Sequence, residues 1–163
     1  MGLAVVSGAS RGLGFESARG LGAAGFDLAL VAKDADRLQE AAAKLGNEFP
    51  NIAIKTFPVD LADSEATRIV IAQIQSGGSV EILMLAHGVM SEKMSKTLRT
   101  TDEEWRRTLS INLDAVFTAV NQLAPAMSDA RKGRVIVYSA CLGRMSGPGT
   151  HGGLAPYRIR KAG

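Results

Sequence analysis

The chain has 163 residues, of which 46% are hydrophobic and 21% charged, a composition typical of one globular domain that is long enough to bury a core. Its net charge of +3 comes from scattered Lys and Arg, and only 5% of the residues are aromatic, which argues against nucleic-acid binding. No run approaches the roughly 18 apolar residues of a membrane span, no signal peptide is evident, and the one cysteine, Cys141, excludes an internal disulfide, so we expect a cytoplasmic protein that does not bind membranes.

Short apolar runs alternate with longer helical patterns from one end of the chain to the other. The runs are rich in Val, Ile, Leu and Ala, as in strands that are buried on both faces of a parallel sheet. Gly25 and the Gly77-Gly78 pair end helical patterns, whereas Asp34 and Thr101 have the position of N-caps. The sequence predicts strands at 3–7, 27–32, 52–57, 80–85 and 134–139, and helices at 13–24, 34–49, 63–75 and from 101 towards 127.

This alternation predicts an α/β fold, a doubly wound parallel sheet of the Rossmann type. With right-handed crossovers, the expected strand order is 3-2-1-4-5. We interpret residues 1–163 as a single domain, with a polar loop at 91–100 and a glycine-rich loop at 143–155. The second loop follows the fifth strand, at the carboxyl edge where such sheets bind ligands.

The first predicted strand ends in a glycine-rich turn that leads directly into a helix. Its glycines, Gly8, Gly12 and Gly14, are four and two residues apart. Glycines let a backbone approach a pyrophosphate closely, and the first N–H groups of the new helix point at it. The turn therefore predicts a site for the phosphates of a nucleotide.

Tyr157 and Lys161 are four residues apart near the end of the chain, a spacing that puts both side chains on one face of a helix. The ordinary pKa of tyrosine, about 10, is too high for efficient proton transfer near neutral pH. A fixed ammonium beside the phenol stabilises the phenolate and lowers that pKa. The pair is thus a candidate acid–base group, although the same spacing also occurs by chance in unrelated chains.

Together the two motifs resemble those of the short-chain dehydrogenase/reductase family, T-G-x-x-x-G-x-G and Y-x-x-x-K, with Ser7 in place of the usual Thr. Asp60-Leu61 matches the pair that holds the adenine ring in the family. Asn112 matches the residue that organises a water and positions the catalytic Lys, and residues 133–137 match the strand that leads to the catalytic Ser. The resemblance covers residues 3–163, and its nearest branch is that of the ketoacyl reductases.

The resemblance implies an oxidoreductase that interconverts a carbonyl and an alcohol of a small molecule by hydride transfer, with no metal. Tyr157 would protonate the developing alkoxide, and Lys161 would hold the ribose hydroxyls and lower the pKa of the tyrosine. Ser139 would polarise the carbonyl, and Asn112 would order a water that relays protons.

The cofactor preference follows from the end of the second strand. Members that use NAD carry an acid there, which accepts the ribose hydroxyls and would repel a 2′-phosphate; this chain has Ala32, followed by Lys33. Arg11 lies inside the glycine turn, so two cations flank the expected 2′ position and favour NADP(H), unless both are merely solvated surface charges. The predicted cofactor-binding residues are Gly8, Ser10, Arg11, Gly12, Leu13, Gly14, Lys33, Asp60, Leu61, Ala86, Gly88, Tyr157 and Lys161.

Two positions depart from the family's pattern. The usual N-N-A-G after the fourth strand is replaced by Leu85-Ala86-His87-Gly88, and we interpret His87 as a structural residue rather than a catalytic one. In the usual S-S-x-x-G the working hydroxyl lies three residues before the glycine, where this chain has Ala140. Ser139, one residue earlier, is the candidate hydroxyl, although successive strand residues point to opposite faces; Cys141 matches the position less well.

The chain stops two residues after Lys161, whereas family members continue with the rest of a helix, two more strands and a substrate-binding segment. It therefore resembles the N-terminal two-thirds of such an enzyme, in which the fifth strand would be an exposed edge. Family members form homo-oligomers, but an interface without those elements would be incomplete. Two alternatives to an active enzyme stay open: a nucleotide-binding remnant without catalysis, and a truncated product that folds poorly.

Overall fold

The structure, a computed structural model, describes residues 2–90 and 99–140. Five parallel strands form its central sheet: β1 (Leu3–Ser7), β2 (Asp27–Ala32), β3 (Ile54–Pro58), β4 (Val80–Leu85) and β5 (Arg134–Val137). They lie in the order β3-β2-β1-β4-β5, which confirms the predicted fold class and strand order. The helices are α1 (Gly12–Ala23), α2 (Ala35–Glu48), α3 (Ser64–Ser76), α4 (Asp102–Leu109) and α5 (Ala115–Asp129).

Side-chain caps fix the residues at which three of these helices begin. Asp34 accepts a hydrogen bond from the backbone N–H of Arg37 at the start of α2, and Thr101 accepts one from Glu104 at the start of α4. Asp63 accepts two such bonds at the start of α3. Each cap satisfies N–H groups that have no partner inside the helix, and the predicted caps Asp34 and Thr101 are confirmed.

Two strands differ from their predicted bounds. Strand β3 begins at Ile54 rather than at residue 52, because the Ile52 N–H bonds to the Phe49 carbonyl at 3.4 Å and so belongs to the turn after α2. Strand β5 ends at Val137 rather than at residue 139, although the Tyr138 N–H still bonds to β4, at 3.0 Å from the Leu85 oxygen. Hydrogen bonding to β4 therefore continues one residue beyond the end of the strand, to Tyr138.

The predicted long helix from residue 101 is present, but its hydrogen-bond pattern changes in the middle. A π-helical turn, Ser110–Asp114, joins α4 to α5, and the continuous helical segment ends at Asp129. Such wider turns inside α-helices are frequent at functional sites. This one contains Asn112, which is only 5% exposed.

Different helices cover the two faces of the sheet, and the alternation of side chains along β1 shows this most simply. Val5 belongs to a cluster formed with residues of α3 and α5. Ala4 and Val6 belong to a second cluster, formed with residues of α1 and α2. All three are at most 1% exposed, as expected for a central strand of a parallel sheet that is covered on both faces.

Strand β5 lies at the edge of the sheet that the structure describes. Its Val135, Ile136 and Val137 are 40%, 41% and 49% exposed, in contrast to the buried apolar residues of β1. Among the described helices, none has both the length and the apolar character that a membrane crossing requires.

Candidate functional site

A cleft of about 540 Å³ lies beyond the carboxyl ends of β1 to β4, and we call it the carboxyl-end cleft. Its volume is within the range of about 300–1,000 Å³ that is usual for small-molecule and cofactor sites. Every predicted cofactor-binding residue in the described part of the chain lines it: Gly8, Ser10, Arg11, Gly12, Leu13, Gly14, Lys33, Asp60, Leu61, Ala86 and Gly88. Its other lining residues are Ala32, Val59, His87, Val89, Arg107 and Ile111.

A smaller cleft of about 290 Å³ lies at the opposite edge of the sheet, where the strands begin. Its lining includes Gly2, Asp27, Lys55 and Glu81, and we call it the amino-end cleft. None of the described residues that the sequence predicts for a site lies in it. Ligands of open α/β sheets bind outside the carboxyl ends of the strands, so the carboxyl-end cleft is the candidate site.

The three glycines of the turn after β1 have different structural roles. Gly12 has a φ of +56°, and a Cβ there would meet no atom within 4 Å, so the space above this peptide is open. At Gly14 a Cβ would overlap the carbonyl of Gly8, whose carbon would lie 2.6 Å away. At Gly8 it would lie 2.9 Å from the backbone N and Cα of His87. The turn is thus packed tightly between α1 and the segment after β4, with its open side towards the carboxyl-end cleft.

Helix α1 begins without the kind of cap that α2, α3 and α4 have. The residue in its N-cap position, Arg11, makes no side-chain cap hydrogen bond. Because the first N–H groups of a helix have no partner inside it and carry the positive end of the helix dipole, they favour an anion. Gly12, Leu13 and Gly14 form this first turn and line the carboxyl-end cleft, so an anion in the cleft could accept hydrogen bonds from it.

A group of three charged residues lies on the other side of the carboxyl-end cleft. Lys33 Nζ is 2.8 Å from Asp60 Oδ2, and Arg107 Nη1 is 3.5 Å from the same oxygen. The other carboxylate oxygen, Oδ1, accepts a bond from the Ala62 N–H at 3.1 Å. Partial burial raises the pKa of Asp60. A larger combined effect lowers it: the hydrogen bonds from Lys33 and Ala62 and the positive charge of Arg107. The pKa is therefore lower than usual, and Asp60 stays ionised at neutral pH.

The charges that line the carboxyl-end cleft are mainly positive. Arg11, Lys33 and Arg107 are cations and Asp60 is the one anion among its described lining residues, an excess of two positive charges. A lining of this kind suits a ligand with several phosphate charges.

Asn112 lies behind the carboxyl-end cleft and holds part of its wall. Its side chain accepts a bond from the Val89 N–H and donates one to the Val89 carbonyl, both at 2.8 Å. This amide thus fixes the backbone of the segment after β4, which lines the cleft. The π-helical turn positions Asn112 for these bonds, and the amide is buried.

His87, which stands where the family's usual sequence has a different residue, contacts the residue before the glycine turn. Ser7 is 5% exposed, and its hydroxyl hydrogen-bonds with Nδ1 of His87. The two side chains therefore link the end of β1 to the segment after β4. This contact gives His87 a structural part in the cleft.

The predicted catalytic residues are only partly within the described structure. Ser139 is exposed and is the second residue after the end of β5. The residue between them, Tyr138, has its hydroxyl 3.1 Å from Ser17 Oγ on α1. Tyr157 and Lys161 lie outside the described residues, as do Cys141, the predicted loop at 143–155 and residues 91–98 of the predicted loop at 91–100. The structure thus brings eleven of the thirteen predicted cofactor residues together, whereas Tyr157 and Lys161, which belong to both predicted groups, lie outside the part that it describes.

Comparison with known proteins identifies the family. A family model described as short chain dehydrogenase matches residues 2–155. The chain belongs to the short chain dehydrogenase family. This confirms the family resemblance, and the match includes the glycine turn and the Asp60-Leu61 pair.

Individual relatives in this family are distant in sequence and close in fold. The 2,3-dihydro-2,3-dihydroxybenzoate dehydrogenase of Bacillus subtilis is 31% identical over 135 residues, which are 82% of this chain and 50% of that protein. The 3-oxoacyl-(acyl-carrier-protein) reductase of Staphylococcus aureus is 28% identical over 163 residues, 98% of this chain and 63% of that protein. The crystal structure of a metagenomic short-chain oxidoreductase in complex with NADP is 27% identical, with a TM-score of 0.88.

The chain is short in comparison with these members of the family. It spans half of the first relative and 63% of the second. The alignment with the metagenomic oxidoreductase covers 98% of this chain and 69% of that one. Fold and family are therefore established for this chain, whereas activity, substrate and partners are matters for proposal.

Four residues of the carboxyl-end cleft have no part in the sequence prediction. Val59, Val89 and Ile111 are apolar side chains with no chemical signature, and Arg107 lies on a helix rich in charged residues. The only signal in the sequence is spacing, since Arg107 and Ile111 are four residues apart and so share a helix face. That spacing does not show which face meets the sheet.

Replacing Gly14 by alanine should destabilise the protein, by about 2–3 kcal/mol of unfolding free energy, since the new Cβ overlaps the Gly8 carbonyl. Gly20→Ala is the matched control on α1, because its Cβ would meet nothing within 4 Å. It should stabilise the chain by up to about 1 kcal/mol through helix propensity. Urea unfolding followed by circular dichroism measures the unfolding free energy of both variants. Equal changes in that free energy would contradict the close packing of the turn.

Asn112→Ala removes both bonds to the Val89 backbone. We expect the free energy of unfolding to fall by about 1–2 kcal/mol, because the partly buried N–H and C=O of Val89 lose their partner. Asn121→Ala, at an exposed position of α5, is the control and should change stability by less than about 0.5 kcal/mol. Thermal unfolding measures the stability of both variants. An Asn112 variant as stable as the control would show that the hydrogen bonds to Val89 contribute nothing to stability.

Proposed function

We propose that this chain is, or is the nucleotide-binding part of, an NADP(H)-dependent oxidoreductase that interconverts a carbonyl and an alcohol. One observation carries the proposal: eleven residues predicted to bind a dinucleotide from sequence line one cleft at the carboxyl ends of the strands. Membership of the short chain dehydrogenase family supports the oxidoreductase class.

The carboxyl-end cleft fits a dinucleotide phosphate in three respects. The turn at Gly12 is open above its peptide, helix α1 has no side-chain cap, and the described lining has an excess of positive charge. The pyrophosphate would be held by the first N–H groups of α1. Arg11 and Lys33 would hold the 2′-phosphate, and Asp60 and Leu61 would hold the adenine ring.

The preference for NADP(H) over NAD(H) depends on the end of β2. Ala32 carries no carboxylate that would repel a 2′-phosphate, and the adjacent Lys33 lines the cleft with its side chain 65% exposed. The metagenomic oxidoreductase of similar fold is a complex with NADP, which supports the same choice for this chain.

The bound nicotinamide would supply or accept the hydride. In the reductive direction Tyr157 would deliver a proton to the alkoxide oxygen, with Lys161 lowering the pKa of the phenol through its positive charge. Ser139 would donate a hydrogen bond to the same oxygen. Asn112 would complete a proton path through an ordered water, in addition to its observed bonds to Val89.

The substrate is proposed only as a small molecule with a carbonyl or alcohol. The two relatives are named for different substrates, a dihydrodihydroxybenzoate and a 3-oxoacyl-(acyl-carrier-protein), so their names do not favour one class. The homo-oligomer of the family and the cytoplasmic location also stay predictions.

A second candidate function is nucleotide binding without turnover. The observation in its favour is the position of the serine: Ala140 occupies the family's catalytic position, and Ser139 follows a residue that is still paired to β4. In this case the cleft would bind NADP(H) as proposed, but no hydroxyl would polarise the carbonyl.

Lys33→Gln tests the proposed cofactor site. Removing this charge should weaken NADPH binding about two- to fivefold, as expected for an exposed charge pair, and should change NADH binding far less, because NADH has no 2′-phosphate. Titration followed by nicotinamide fluorescence measures both dissociation constants.

Lys44→Gln, an equal charge change at an exposed position of α2, is the control and should leave both constants unchanged. If neither cofactor binds to the unmodified chain, the proposed function is wrong. If NADH binds more tightly than NADPH, the oxidoreductase proposal survives but its cofactor is wrong.

Ser139→Ala and Ala140→Ser separate the enzyme from the inactive remnant. If Ser139 supplies the hydroxyl, its removal should lower kcat for NADPH-dependent carbonyl reduction about 100-fold, as for the loss of an oxyanion donor, with NADPH affinity unchanged. Ala140→Ser should then give no gain. The activity of each variant is measured as NADPH consumption with a panel of ketones and aldehydes. A neutral Ser139→Ala together with a large gain from Ala140→Ser would favour the remnant.

A further inference from the structure

Arg107 reaches the carboxyl-end cleft from α4, an element that contributes none of the predicted cofactor-binding residues. The Thr101 cap fixes the start of this helix, and Arg107 lies in its second turn with a side chain 44% exposed. It lines the cleft together with Ile111, one helical turn further on. The side chain is therefore near any ligand in the cleft without belonging to the glycine turn or to the end of β2.

Arg107 and Lys33 share a single carboxylate oxygen. Lys33 Nζ lies 2.8 Å and Arg107 Nη1 3.5 Å from Asp60 Oδ2, while Oδ1 is held by the Ala62 N–H. Lys33 is one of the two residues proposed to bind the 2′-phosphate, so Asp60 competes with that phosphate for the positive charge of Lys33. A second cation on the same oxygen weakens this competition, because it balances Asp60 when Lys33 moves towards the ligand.

The net charge at this end of the cleft also indicates that Arg107 favours a bound phosphate. Without Arg107, Lys33 and Asp60 would cancel at this end of the cleft. With it, one positive charge remains, and a phosphate with about two negative charges is attracted.

We propose that Arg107 is a specificity-determining residue for a 2′-phosphorylated dinucleotide, because it balances Asp60 and so releases Lys33 for the phosphate. The inference rests on the proposed cofactor site. It assigns Arg107 an effect on the choice between NADPH and NADH, and not on hydride transfer.

Arg107→Gln is the test, and Arg106→Gln is the matched control, since Arg106 is an exposed arginine of the same helix that does not line the cleft. Both variants lose one positive charge. We expect Arg107→Gln to weaken NADPH binding about two- to fivefold, within the range for exposed charge pairs, with NADH binding nearly unchanged. Arg106→Gln should preserve both affinities, and Arg107→Lys should keep the preference for NADPH.

The fluorescence titrations of these variants test the inference about Arg107 directly. Equal losses in the Arg106 and Arg107 variants would show an effect of overall charge and overturn the inference. Equal weakening of NADPH and NADH by Arg107→Gln would also overturn it, since the residue would then act on the cleft as a whole. An unmodified chain that prefers NADPH, with the same preference in Arg107→Gln, overturns this inference alone. An unmodified chain that binds neither cofactor overturns the proposed function as well.

Discussion

The close packing of α1 against the turn after β1 determines where the cleft can form. Gly14, in the first turn of the helix, lies so near the Gly8 carbonyl that a side chain would overlap it. Gly8 in turn lies against the backbone of His87, beyond the end of β4. The start of α1 is therefore fixed to the central strands, with its N–H groups towards the space above Gly12. The nucleotide proposal depends on this contact, because a shift of the helix would move its positive end away from the cleft.

The rest of the cleft is assembled by side chains that join segments distant in the sequence. Asn112 bonds to the Val89 backbone from a π-helical turn, Ser7 bonds to His87, and Asp60 joins Lys33 to Arg107. These contacts differ in strength. The Asn112 bonds are neutral and come from a buried amide, so their loss is costly. The pairs of Asp60 are partly exposed and screened, so they contribute little to stability. We therefore assign the amide to the support of the wall and the charges to the selection of a ligand.

Much of this arrangement could be predicted from the sequence, because it depends on local patterns. The alternation of apolar strands with helices predicts the sheet order, and the glycine turn predicts one side of the cleft. The other predicted cofactor residues, such as Asp60 and Leu61, come from the resemblance to the short-chain dehydrogenase family. The part that could not be predicted depends on contacts across the chain. The charge of Arg107 is ordinary for an exposed helix, and only the tertiary structure brings it to Asp60. The π-helical turn has no signal in residue periodicity. The end of β5 also lay beyond prediction, because pairing with β4 sets it.

The most direct test of the central claim is a nuclear magnetic resonance titration of the ¹⁵N-labelled chain with NADP⁺. If the pyrophosphate lies at the start of α1, the amide signals of Gly12, Leu13 and Gly14 should move progressively and saturate together. Signals of the amino-end cleft, such as those of Asp27 and Lys55, should stay in place. Shifts confined to that cleft, or no shifts at saturating cofactor, would contradict the account.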